Sequence, residues 1–263
     1  MADWNDPRGT RQGFGASPSL NGEVVGAGGT VMDAGLRKHM LSVYNYMTSG
    51  VLLTAIVALL FVNSSFYELL YARVMTAQGV IEQPTMLGWI VIFSPLAIVF
   101  GMSFGAARLS ESTLKGMFWA YVVLIGLSLS SLLKIYTGAS LAATFFAASA
   151  AFGGMSLFGY TTKKDISGWG SFLIMGVIGL IVTTLLNVIF FKSVGLDMAV
   201  SAIGVLIFAG LTAWRTQMIK GEYYELRGTP WIGKAAILSA LSLYISFINM
   251  FLYLLRFMGN ARN

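Results

Sequence analysis

The sequence predicts an all-α integral membrane protein of seven transmembrane helices, the last one central and surrounded by the other six. Three observations carry this expectation. Of 263 residues, 56% are apolar and only 11% charged, a balance that suits a lipid surround rather than a soluble core. Seven apolar runs, 41–62, 86–104, 116–133, 141–160, 172–191, 198–214 and 235–255, stand near the length of about 20 residues that crosses a bilayer as a helix. The last run also carries a regular polar stripe. Ser239, Ser242, Ser246, Asn249 and Tyr253 recur at steps of three and four, which aligns them on one side of a helix. Asn249 is costly in hydrocarbon, so the stripe is expected to face other helices or a wet cavity.

Residues 1–35 are polar and Gly-rich, with Pro7 and Pro18 and no apolar stretch of a cleavable leader. They are expected to form a disordered cytoplasmic tail. Residues 36–258 form the membrane domain and 259–263 a short C-terminal tail. Leu36 to Met40 reads as an interfacial turn, with His39, the one histidine, at the lipid surface beside Arg37 and Lys38. In the second run Ser94, Ala97, Gly101, Gly105 and Arg108 share a face. Gly101 and Gly105 there suit close helix contact, and Pro95 suggests a kink. The fourth run offers a packing surface of Ala, Ser and Gly from Ala142 to Gly154. The fifth aligns Gly176, Gly179, Thr183 and Asn187, the last two being intramembrane polar residues. The sixth carries Ser201 and Gly204 and ends at Trp214 and Arg215. Trp89, Trp119, Trp169, Trp214 and Trp231 lie near run ends, as an aromatic belt does.

Lysine and arginine set the orientation. Twelve lie in the tail and the second, fourth and sixth connections, against five on the other side, which places the N-terminus in the cytoplasm. The net charge of +6 therefore points to anionic lipid headgroups and not to nucleic acid. Without cysteine there is neither a disulfide framework nor a thiolate metal site, and no metal or other cofactor is expected. No HExxH or P-loop motif occurs. All eleven carboxylates fall in the tail or between runs. An enzyme is not expected.

Several longer segments carry a resemblance: Gly35–Met40, Val43–Met47, Phe158–Phe172, Thr216–Lys220 and Leu243–Leu252. In composition, order and spacing they resemble the Bax inhibitor-1 family (transmembrane BAX inhibitor motif proteins), in its bacterial branch, over about Gly35 to Met258. The resemblance implies a bacterial inner-membrane location, seven helices with the last at the centre, and one of two roles. One is a pH-sensitive calcium leak, an ion-transport and stress-response function. The alternative is a binding protein that regulates a membrane-anchored AAA protease. The family's leak gate is a pair of aspartates, latched by an arginine. The aspartate positions correspond here to Arg215 and Ser246, and Arg108 to the latch. The gate is thus degenerate, and calcium or another cation is expected to pass without steep pH dependence. The partners expected are membrane lipids, the protease or the cation.

Overall fold

The computed structural model describes residues 34–76 and 79–262. The tail assigned to residues 1–35 lies outside them except for its last two residues, which already belong to the first helix. Helix α1 runs Ala34–Val62 and is followed by the short α2, Tyr67–Leu70. A hairpin of β1 (Tyr71–Thr76) and β2 (Gly79–Pro84) leads to α3, Met86–Gly105. Next come α4 (Glu111–Leu129), the short α5 (Leu132–Ile135), α6 (Gly138–Thr161) and α7 (Trp169–Leu186). A π-helical turn, Asn187–Phe191, connects to α8 (Val194–Leu226), and α9 (Ile232–Met258) ends the bundle. Seven of these helical segments are long and apolar enough to cross a membrane. This is an all-α membrane protein.

Its surface shows the solvent it was built for. Ile174, Met175, Ile178, Ile181, Val182 and Leu185 of α7 all point outward, an apolar face that water would not tolerate. Helix α9 is the exception. Two thirds of its apolar window (67%) is buried, against 17–28% in the other six. It packs chiefly on α8, α1, α6 and α4. Ile237, Leu243, Tyr244 and Met250 of α9 are wholly enclosed, with Phe118 and Val122 of α4 and Val43 of α1 in the same core.

Serine and threonine start several helices, accepting an N–H of the first turn that has no partner within the helix. Thr85 does so for α3, Ser110 for α4, Thr137 for α6 and Ser193 for α8, at 3.1–3.3 Å. Asn187 ends α7 in a different way. Its amide donates to the Ser193 carbonyl (3.0 Å) and accepts from the Ser193 N–H (2.9 Å), closing the tight turn in which Lys192 takes a left-handed conformation. Thr183, half-buried, supplies its carbonyl to the Asn187 N–H.

Three expectations change. First, α1 begins at Ala34, so Leu36 to Met40 is helix and not an interfacial turn. His39 is buried, its ring 5.6 Å from that of Tyr223 on α8. Second, the sixth span does not end at Trp214. Helix α8 has 33 residues, about 50 Å at 1.5 Å per residue, and overshoots a ~30 Å hydrocarbon core. Asp197, Glu222 and Glu225 therefore ride on a helix rather than in connections. Third, the segment after α1 holds a two-stranded hairpin. Its Glu82 accepts from Tyr67 (2.6 Å) and Lys134 (3.3 Å), and Tyr71 donates to the Ser128 carbonyl (2.8 Å). Burial pushes the Tyr71 hydroxyl above its ordinary pKa.

Candidate functional site

The start of α1 and the α3–α4, α6–α7 and α8–α9 connections share one end of the bundle, because seven spans alternate in direction. At that end a cavity of about 460 Å³ opens between α3, α8 and α9. Its apolar walls include Val99, Leu238, Leu241 and Ile245. Its polar groups are Ser103 of α3, Arg215 and Glu222 of α8, and Ser239 and Ser242 of α9.

The spacing on α8 explains why a cation and an anion meet there. Arg215 and Glu222 are seven residues apart, so they share a face about 10 Å apart along the axis. That face looks at the outer end of the polar stripe on α9. Ser239 donates to Glu222 Oε2 at 3.1 Å. The deeper members of the stripe turn their bonds back on their own helix: Ser246 donates to the Ser242 carbonyl (3.1 Å) and Asn249 to that of Ile245 (2.8 Å). Tyr253 completes the stripe by stacking on Phe208 (5.8 Å), in space that Gly204 leaves open. Any side chain at Gly204 would bring a Cβ within 2.6 Å of that ring.

Arg215, Ser239 and Ser242 thus come together at the cavity. Ser246 lies one turn below it, buried. Arg108 is exposed in the turn after α3 and is not among the cavity-lining residues. Glu222 is the residue that sequence reasoning missed. Ending the apolar run at Trp214 put Glu222 in a loop. The signal that could have found it is helical register: Trp214-Arg215 to Leu226 contains no glycine or proline apart from Gly221, so α8 continues. Among the described residues, no group of three or more His, Asp or Glu could hold a metal ion.

Two polar clusters fix the neighbouring helices. The Tyr44 hydroxyl bonds Ser156 and lies 3.4 Å from Thr216 Oγ1, tying α1, α6 and α8 together beneath the cavity end. In the α6–α7 connection, Gln217 accepts from the Ile166 N–H (2.9 Å) and donates to the Lys164 carbonyl (2.8 Å), while Lys220 donates to the Tyr160 carbonyl (2.6 Å). The Ser167 N–H, 2.9 Å from Asp165 Oδ1, holds that carboxyl below its usual range. The segments 158–172 and 216–220, noted separately in the sequence, are therefore parts of one joint.

The family model described as inhibitor of apoptosis-promoting Bax1 matches residues 36–263. The chain belongs to the Bax inhibitor-1 family. Within it, the chain is 44% identical over 232 residues to the inner membrane protein YbhL of Escherichia coli, covering 87% of this chain and 94% of that protein. It is 46% identical over 232 residues to a protein of Caulobacter vibrioides, covering 88% and 92% of the two chains. It is 45% identical over 233 residues to protein RP147 of Rickettsia prowazekii, covering 88% and 93%. All three matches cover most of both chains, so the family resemblance extends to the helices that build the cavity.

Proposed function

We propose that this protein is a multi-pass inner-membrane protein that governs ion passage along α9, and that the cavity between α3, α8 and α9 is its cytoplasmic vestibule. The observation that carries the reading is the Arg215–Glu222 face meeting the hydroxyl stripe of the most buried helix. Intramembrane charge is costly and rare, and where it lines a wet cavity it marks a pathway. Below the vestibule the stripe is self-bonded between fully buried Leu243 and Met250, which corresponds to a closed state. Arg215 and Ser246 act here as a degenerate gate, with Glu222 the one carboxylate among the described residues that line the mouth. The name of the E. coli relative and the excess of basic residues at this end support the inner membrane and a cytoplasmic N-terminus. Reporter fusions at Asn21 and Asn263 are then expected to report opposite compartments. Two cytoplasmic reports would overturn the orientation.

The direct test is cation flux from liposomes holding the purified protein. Glu222→Gln removes the anion facing Arg215 and leaves a net positive vestibule. It is expected to lower cation flux about tenfold, because one uncompensated charge at short range costs at least ~1 kcal/mol. Equal flux in both proteins would overturn the vestibule. The fixed cation Arg215 at the mouth favours a second reading, in which the protein restrains a membrane-anchored AAA protease and conducts nothing. No flux from the wild type, together with altered turnover of unassembled membrane proteins in a deletion strain, would establish that reading instead.

A further inference from the structure

Helix α1 presents a second polar face, outside the bundle and away from the vestibule. With Trp119 of α4 as one wall, Arg37, Lys38, Ser42, Asn45 and Ser49 line an open groove of about 660 Å³. Lys38, Ser42, Asn45 and Ser49 follow at steps of four, three and four, a continuous line along the helix. Asn45 and Ser49 are exposed, and among the described residues no side-chain hydrogen bond satisfies Ser42, Asn45 or Ser49. No carboxylate among the described residues pairs with Arg37 or Lys38. Glu111 of α4 is engaged by Lys115 at 2.6 Å and lies against Gly233 of α9.

Depth makes this arrangement informative. Helix α1 has 29 residues, about 43 Å, which matches a bilayer with its headgroup zones rather than the hydrocarbon alone. Arg37 and Lys38, one turn from its start, stand at headgroup level. Asn45 is about 10 Å deeper than Lys38, past a headgroup zone of about 5–7 Å and at the edge of the hydrocarbon, and Ser49 lies one further turn in. An exposed amide at that depth is costly unless something polar covers it. Tyr46, its ring 6.3 Å from that of Trp119, and Leu41 add apolar surface to the same groove.

We propose that this groove is a binding site for one anionic phospholipid. The headgroup phosphate sits on Arg37 and Lys38, the glycerol and ester oxygens meet Ser42 and Asn45, and an acyl chain lies along Leu41 toward Trp119. A second copy of this chain is a poorer occupant, because it would bring two more unpaired cations to the same place.

The test is quenching of tryptophan fluorescence by brominated lipid, with the full chain in detergent micelles titrated with phosphatidylglycerol or phosphatidylcholine. Trp119→Phe identifies the signal from the groove. Phosphatidylglycerol is expected to bind with saturation and phosphatidylcholine at least tenfold more weakly. Arg37→Gln with Lys38→Gln is expected to weaken phosphatidylglycerol roughly twentyfold, as two basic residues at an anionic surface do. Asn45→Leu keeps every charge and is helix-compatible. It is expected to cost about threefold, the effect of one intramembrane hydrogen bond. Equal binding of the two lipids, or wild-type affinity in Asn45→Leu, would overturn the site. Displacement by inorganic phosphate, or a disulfide-linked dimer of Ser49→Cys in membranes, would overturn the choice of occupant.

Discussion

Gly159→Leu is expected to lower the Tm of the bundle by roughly 6–12 °C. Helix α6 crosses α8 so closely there that a Cβ at Gly159 would stand 2.2 Å from the carbonyl oxygen of Ala213 and 2.9 Å from its Cα. Both obstacles are backbone, so no rotamer change relieves them. Overpacking a core usually costs 1–3 kcal/mol, and a backbone clash belongs at the top of that range or above it. About 3 kcal/mol lowers Tm by roughly 6–12 °C in a chain of this size. Separation of α6 from α8 would also pull Ser156 from Thr216, which now lie 3.2 Å apart. Gly154→Leu is the control. A Cβ there meets nothing within 4 Å, and its Tm is expected to stay within about 2 °C of wild type, as for other outward substitutions. Thermal unfolding of the three proteins in one detergent measures the difference. Equal Tm values for Gly159→Leu and wild type would mean that α6 and α8 do not approach as described.

That pair of glycines shows what the sequence could and could not convey. The run of small residues from Ala142 to Gly154 suggested a packing face, yet Gly153 and Gly154 meet open space and the tight crossing falls at Gly159. Small residues permit contact, but only the partner's backbone decides which of them is used. Gly101 and Gly105 make the same point. A Cβ on Gly101 would meet the flexible tip of Met117, and one on Gly105 would meet Leu109 in the turn just beyond, so neither marks a backbone crossing. Spans, by contrast, were legible because length and hydropathy are local properties. The polar stripe of α9 was legible because its period is that of the helix. Glu222 was hidden because hydropathy marks where lipid ends, not where a helix ends. His39 was hidden because charged neighbours at Arg37 and Lys38 suggested an exposed segment, whereas the helix turns His39 inward onto Tyr223. The lipid groove on α1 escaped notice for a related reason. Ser42, Asn45 and Ser49 fall inside an apolar run, and only the packed bundle reveals that they face outward.

The gate positions support the sharpest functional expectation. Wild-type protein should pass little calcium and show the same flux at pH 6 and pH 8. Arg215 keeps its charge throughout that range, Ser246 does not titrate in it, and Glu222 stands as a single carboxylate on the same face of α8 as that permanent cation. Among the described residues, no pair of acids lines that cavity to share a proton. Arg215→Asp combined with Ser246→Asp changes both terms. It removes the cation that repels calcium, an interaction of about 1 to 4 kcal/mol per unit charge pair at 4 Å depending on the dielectric, so entry should rise at least tenfold. It also places an acid at each of the two gate positions, 215 on α8 and 246 on the buried stripe. Carboxylates so placed hold a shared proton into the neutral range. At pH 8 the proton is lost and the site attracts calcium; at pH 6 it is retained and the attraction falls. Flux through the double variant should therefore be several-fold greater at pH 8 than at pH 6. Arg215→Gln separates the two effects: it should raise calcium entry while leaving the pH profile flat. Strong calcium leakage from the wild type that differs between pH 6 and pH 8 would show that Arg215 and Ser246 do not stand at the gate.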